Sequence, residues 1–163
     1  MASGKTTVGK LVAERLGFDF ADLDDVIAAG AGASVAQMFA IHGEAGFRQR
    51  ESEAVRKAAG RRRTVFATGG GAACREENLA VMLEAGRVIA LTVSAEEAVR
   101  RAGDASGRPL LDRQLDKLAA ARSLLAAREP FYARAELRVA TDGRSAGEVA
   151  DEVMRQLAAG RRQ

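Results

Sequence analysis

Tryptophan is absent from this chain, tyrosine, cysteine and histidine occur once each, and proline occurs twice. Each scarcity closes a possibility. With aromatics at 4%, the interior has to be filled by Val, Leu, Ile, Ala and Met. A lone cysteine, Cys74, cannot form an internal disulfide, so a reducing compartment is the simpler reading. His42 has no second histidine or cysteine cluster to complete a zinc site and reads as a residue near a helix end. No apolar run approaches the roughly 18 residues of a membrane span, and the N-terminus lacks a signal peptide's apolar core. A cytoplasmic location without a membrane partner is the expectation. Charge of one sign is also lacking, with 25 Lys and Arg against 22 Asp and Glu, net +3. That mild excess suits anionic small molecules, and the aromatics that interleave nucleic-acid-binding basic patches are missing. The GRRR run at 60–63 reads as a solvated turn, and nucleic acid is not an expected partner.

What is present is a soluble globular balance, 47% apolar and 29% charged over 163 residues. One domain with a single sizeable core is the simplest reading. Val8, Leu11, Val12 and Leu16 recur at helical spacing and end at Gly17. Four strand candidates follow at 18–22, 64–68, 88–93 and 137–141. Between them lie helical stretches, three of them opened by capping boxes: Ser34 with Gln37, Ser94 with Glu97, and Ser145 with Glu148. The first of these helices is predicted to end near His42, with a second over 46–59. Helical periodicity also resumes from 113 to about 127, before REPFY. Strands alternating with helices predict an α/β fold, a mostly parallel sheet covered on both faces.

In such a fold, ligands bind beyond the carboxyl ends of the strands. Three stretches fall there: the GKTT at 4–7, the Asp22/Asp24 pair, and Gly69, Gly70 and Gly71. GKTT reads as the second half of a phosphate-binding loop, with Lys5 reaching a transferring phosphate and Thr6 ligating magnesium. The loop's first glycine and its preceding strand would lie before Met1. The expectation is therefore a natural start about ten residues upstream, at typical strand and loop lengths. A damaged domain, or a sheet with a rebuilt edge, competes with that. Asp22 and Asp24 alternate at a strand end, so a regular strand would point them to opposite sides, one toward metal and one toward an alcohol. Either could instead cap a helix, with Asp25 a competitor for that role. Arg48 and Arg128 could clamp a carboxylate, or could serve as surface ion-pair partners.

Taken together, SGKTTVGKLVAERLG, the Asp22-x-Asp24 pair, GFRQRE at 46–51, TGGG at 68–71, GRPLL at 107–111 and REPFY at 128–132 resemble the shikimate kinase family. The resemblance runs through essentially the whole chain, in the family's order. It implies a P-loop kinase fold with a five-stranded parallel sheet, of which four strands are visible here and the first, buried one is missing. It also implies a cytoplasmic, usually monomeric enzyme that phosphorylates the 3-hydroxyl of shikimate with ATP and magnesium, in chorismate and aromatic amino-acid biosynthesis. Within one domain over 1–163, it places a substrate-binding helical region at about 25–60 and a lid at about 103–116.

Residue by residue, the resemblance assigns Gly4, Lys5, Thr6 and Thr7 to the ATP phosphates, and Thr6 with Asp22 to magnesium. Asp24 becomes the candidate general base that holds the substrate hydroxyls. Arg48 and Arg128 would grip the shikimate carboxylate, Gly69, Gly70 and Gly71 would approach the ring, and Phe47 and Glu51 would support the pocket. Arg108 corresponds to the lid arginine, Arg101 to the adenine-side arginine, and Arg144 lies in the expected adenine-binding turn. Ala2 stands where the family commonly has glycine, and its Cβ would strain a left-handed turn. A gluconate-type small-metabolite kinase, or an impaired nucleotide-binding regulatory protein, remains the alternative reading.

Overall fold

The computed structural model describes residues 2–103 and 117–160. Helix α1 (Lys5–Leu16) leads to strand β1 (Asp19–Asp22), then α2 (Leu23–Ala31) and the long α3 (Val35–Ala59). Strand β2 (Thr64–Ala67) runs into the triple glycine and a single 3-10 turn, Ala72–Cys74. There follow α4 (Glu76–Ala85), β3 (Ile89–Thr92), α5 (Ala95–Ala102), α6 (Lys117–Tyr132), β4 (Leu137–Ala140) and α7 (Ala146–Ala159).

All four expected strands are present, each within a residue or so of its predicted ends. They form two parallel pairs. β1 lies against β2 in the register Asp19↔Thr64 to Asp22↔Ala67, and β3 against β4 from Ile89↔Leu137 to Thr92↔Ala140. Among the described residues no strand pairs β2 with β3, so each keeps one free edge. A shared core nevertheless joins the two pairs. Val65 of β2 and Ile89 and Leu91 of β3 pack on one cluster with Val8 and Val12 of α1 and Val149 and Val153 of α7. Its neighbour in sequence, Phe66, points the other way, into a second cluster built on Leu23, Met38, Phe47 and Val55. That alternation is the period-two geometry of a strand, and it puts helices on both faces of β2 as expected. The core is Val, Ala, Leu, Ile and Met, with Phe47 the one buried aromatic among the described residues. Each fully buried Val, Leu, Ile or Met side chain contributes about 1.5–3 kcal/mol relative to exposure.

The predicted pair of helices at 35–42 and 46–59 is present within α3, divided at Gly43, whose φ of 64° no β-branched or bulky residue adopts without strain. Two local readings need correction. The REPFY stretch is not a separate segment: α6 continues through it, with Pro130 in its last turn. Only half of the Ser94/Glu97 box forms. Ser94 Oγ accepts from the Glu97 N–H, but the Ser94 N–H donates to the Asp142 carboxylate, while Glu97 turns to two arginines. The other two boxes close in both directions.

Candidate active site

The anion-binding end of the site is the start of α1. Gly4 caps it in the left-handed region, φ 76°, and the first helical N–H groups beyond it face outward with no carbonyl of their own. Lys5 follows at once, its Nζ 3.5 Å from Ser3 Oγ. Ala2 adopts φ 45°, so the strain anticipated for a Cβ in this turn is present. Such a residue costs roughly 1–2 kcal/mol relative to glycine.

The end of β1 meets this helix start. Thr6 Oγ1 donates to Asp22 Oδ2 at 2.7 Å, while Asp22 Oδ1 accepts from the Asp24 N–H at 3.1 Å. Asp22 is thus the N-cap of α2, and Asp25 is not. Capping decides where Asp24 goes. It lies in the first turn of α2 rather than on the strand, so it is the turn of the helix, not strand alternation, that separates the two carboxylates. Thr6 and Asp22 present two hard oxygens at one point, which fits magnesium with its remaining ligands from water and phosphate. No cluster of three His, Cys, Asp or Glu suited to a metal exists among the described residues, so an all-protein cage is not what this site offers.

On one side of the α1 start opens a cleft of about 460 Å³, bounded by Ser3, Thr7, Arg100, Arg101, Gly143 and Arg144. Among the described residues the one acidic residue lining it is Glu97, and hydrogen bonds from Arg100 foremost, then Arg101, hold its carboxyl down at about 2. Arg101 is immobilised. Its Nε donates to Glu97 at 2.6 Å, Nη1 to the Ala2 carbonyl and to Thr141 Oγ1, and Nη2 to the Thr141 carbonyl at 2.7 Å. With its donors engaged by protein, the guanidinium offers its flat face to a ligand. Thr141, 1% exposed, completes the arrangement by donating its hydroxyl to the Thr92 carbonyl. Arg144 is likewise tied to carbonyls, of Ala140 and Glu148.

On the other side lies the glycine turn. A Cβ on Gly69 would stand 3.0 Å from both Asp24 Oδ1 and Glu51 Oε1, and a Cβ on Gly71 would stand 2.6 Å from Arg48 Nη1. The glycines are there to let charged side chains lie directly on the backbone. Asp24 Oδ1 and Glu51 Oε1 are buried and have no hydrogen-bond partner among the described residues. Two acceptors without donors are what a ligand's hydroxyl groups would satisfy. Burial, and then the Asp22 charge, push the Asp24 carboxyl up, against the pull of Lys5 and Arg48. Burial also raises Glu51, opposed by its hydrogen bond from Arg48.

Arg48 pairs with Glu51 at 2.8 Å and with Glu44 at 3.2 Å, and lies over the Phe47 ring at 5.5 Å. Phe47 in turn packs on Phe39, ring centroids 4.7 Å apart. Arg128 projects from the last turn but one of α6, and its positive charge acts to lower Glu51, Cys74 and Tyr132 alike. Asp24, Arg48, Gly69, Gly71 and Arg128, scattered through the sequence, therefore meet around one turn, with Asp24 within electrostatic reach of Lys5. The Cys74 thiol is half-buried, 3.6 Å from the Gly70 carbonyl. Arg108 and the expected lid beyond residue 103 lie outside the described residues.

Sequence reasoning missed two groups. Asp142 caps α5 from a distant loop, and Thr141 fixes Arg101 by a buried hydroxyl. Tyr132, which the sequence reading makes an anchor of the helix presenting Arg128, donates to the Gly70 carbonyl at 2.7 Å.

The chain is similar to known proteins along nearly its whole length. A family model described as shikimate kinase matches residues 1–158. The chain is 48% identical over 160 residues to a shikimate kinase of Symbiobacterium thermophilum, covering 96% of this chain and 91% of that one. It is 46% identical over 155 residues to one of Geobacter metallireducens, covering 94% and 85%. Among solved structures, shikimate kinase from Acinetobacter baumannii in complex with shikimate superposes with a TM-score of 0.95 at 32% identity, over 100% of this chain and 91% of that one.

Proposed function

Since the chain belongs to the shikimate kinase family, we propose that it transfers the γ-phosphoryl group of ATP to the 3-hydroxyl of shikimate, with Asp24 holding the acceptor oxygen and Arg48 and Arg128 holding the carboxylate. The observation that supports this most is the convergence of an unpartnered carboxylate oxygen and two guanidinium groups on one glycine turn beside Lys5. A nucleotide-binding module has no need of that second set.

ATP occupies the cleft between the α1 start and the 141–144 turn, its base against the flat face of Arg101 and its phosphates on the N–H groups after Gly4. Thr7 and Arg144 border the same cleft. Lys5, at the start of α1 and within electrostatic reach of Asp24, neutralises charge on the migrating group. The same reading gives Arg108 a share in that neutralisation. Thr6 and Asp22 would hold a magnesium ion, which would offset negative charge on the phosphate oxygens.

Asp24 accepts a hydrogen bond from the shikimate hydroxyl and sets its oxygen in line with the γ-phosphorus. As the new O–P bond forms and the bond to the β-phosphate oxygen breaks, the hydroxyl proton passes to Asp24 and ADP leaves. In a loose transition state, positioning contributes more than basicity. The region at about 25–60, which supplies Arg48 and Glu51, acts as the acceptor-binding part of a single domain.

The test is magnesium-dependent transfer from ATP, with shikimate and gluconate offered in parallel. Preference for shikimate supports the assignment. Transfer to gluconate would favour the related small-metabolite kinase, and ATP binding without transfer to either would favour a regulatory protein.

A further inference from the structure

We infer that Thr141 is a positioning residue for the nucleotide: its buried hydroxyl sets the plane of the Arg101 guanidinium, and thereby the affinity for the base of ATP, without taking part in transfer. The inference deepens the nucleotide assignment above and rests on it.

Thr141 directly follows strand β4 and is 1% exposed. Its N–H and its hydroxyl both donate to the Thr92 carbonyl at the end of β3, each at 3.0 Å. A hydroxyl has one proton to give, so toward Arg101 the Thr141 oxygen acts as an acceptor, and Arg101 Nη1 donates to it at 3.1 Å. Arg101 Nη2 donates to the Thr141 carbonyl at 2.7 Å. One residue thus receives both terminal nitrogens of the guanidinium, one on its side chain and one on its backbone. Two-point binding of this kind fixes a plane as well as a distance.

The remaining contacts constrain that plane less. Arg101 Nε donates to Glu97, which stands one turn earlier on the same helix and moves with it. The bond from Nη1 to the Ala2 carbonyl is longer, at 3.3 Å. Thr141 is the partner that belongs to the sheet. Its neighbour Asp142 accepts from the Ser94 N–H, so two adjacent residues hold α5 at its start and in its last turn. Arg101 and Thr141 both border the cleft assigned to the nucleotide. Stacking of a base on a guanidinium depends on the two planes lying parallel, and an arginine free to swing loses it. The Thr141 N–H already gives the Thr92 carbonyl a partner. What the hydroxyl adds is the acceptor for Arg101.

Thr141→Val keeps the branched shape and both backbone bonds of this residue and removes the hydroxyl alone. The KM for ATP is expected to rise about tenfold, with kcat and the KM for shikimate within about twofold of the parent, as for loss of one hydrogen bond to a charged group. Thr141→Ala, which places no extra methyl against Thr92, is expected to behave as the valine variant does. Thr141→Ser restores the hydroxyl and is expected to restore the KM for ATP. In an Arg101→Ala background, Thr141→Val is expected to add nothing. An unchanged KM for ATP in the valine and alanine variants would overturn the inference. So would a serine variant as weak as valine, a parallel rise in the KM for shikimate, or a full effect that persists without Arg101.

Calorimetric titration of the full chain with ATP, without any acceptor, reads the same tenfold difference and needs no activity. If the parent binds ATP but transfers nothing to shikimate, the acceptor assignment fails, while this titration still decides the role of Thr141. A parent that binds no ATP would end the nucleotide assignment, and the inference with it.

Discussion

The guanidinium of Arg48 rests on the α-carbon of Gly71, so closely that a Cβ there would lie 2.6–2.8 Å from three of its atoms. The arginine is held from its other sides by Glu51, Glu44 and the Phe47 ring. Gly71→Ala must therefore push the guanidinium off its seat. Shikimate KM should rise by about tenfold or more, the scale of one misplaced charged contact, with ATP KM unchanged. Steady-state kinetics with each substrate varied in turn checks this, and an equal effect on both substrates would mean that the turn serves the fold at large.

Arg48→Ala is a harder variant to read, because Glu51 is 1% exposed and would lose its cation. Removing one partner of a buried pair costs about 3–5 kcal/mol. The informative protein is Arg48→Ala with Glu51→Gln, which leaves no orphaned charge. Its thermal unfolding should recover most of the loss, while shikimate binding by calorimetry stays at least about tenfold weak. Recovery of binding together with stability would remove Arg48 from the clamp.

Asp24 carries a pH signature. Burial raises its carboxyl above the ordinary 3.8, so the folded protein binds this proton more tightly than the unfolded chain. The penalty for ionising Asp24 is fully present above its folded pKa and disappears as pH falls below 3.8. Asp24→Asn should accordingly be more stable than the parent at neutral pH, by about 2 °C or more in Tm, while losing nearly all transfer activity. In the parent, the acid limb of kcat/KM should begin at higher pH than for an exposed aspartate. An unchanged or lower Tm in the Asn variant would contradict the reading.

Thr6 and Asp22 are expected to share a magnesium ion. Thr6→Ser keeps the hydroxyl and should keep the activity. Thr6→Val should raise the magnesium concentration for half-maximal rate by about tenfold or more, as loss of a ligand or its close support does. A rate lost equally at all magnesium concentrations would assign the hydroxyl to holding Asp22 alone.

Ala2→Gly relieves a left-handed alanine and should stabilise the protein by about 1 kcal/mol. Denaturant unfolding of the two proteins measures it directly, and a glycine variant no more stable than the parent would show the turn to be unstrained.

Much of this site was legible before any coordinates. Lys5, Thr6, the Asp22/Asp24 pair and the triple glycine announce themselves because phosphate loops, caps and close backbone approach each demand particular residues over a few positions. The helix starts at Ser34 and Ser145, and all four strands, were local for the same reason: capping and period-two burial act between near neighbours. Where a local rule met a distant competitor it failed. Ser94 and Glu97 satisfy the capping-box pattern, yet Asp142 takes the serine N–H and two arginines take the glutamate.

The sequence by itself settled that this chain is an α/β protein with an anion-binding helix start, because those features are written in contiguous residues. Only the tertiary structure decided that Asp24 leaves the strand for a helix turn and that Gly69 and Gly71 seat charged side chains. It alone joined Tyr132 to Gly70 across 62 positions of chain. Such contacts depend on how helices and strands pack, and no spacing along a chain encodes a distance between elements that meet only when folded.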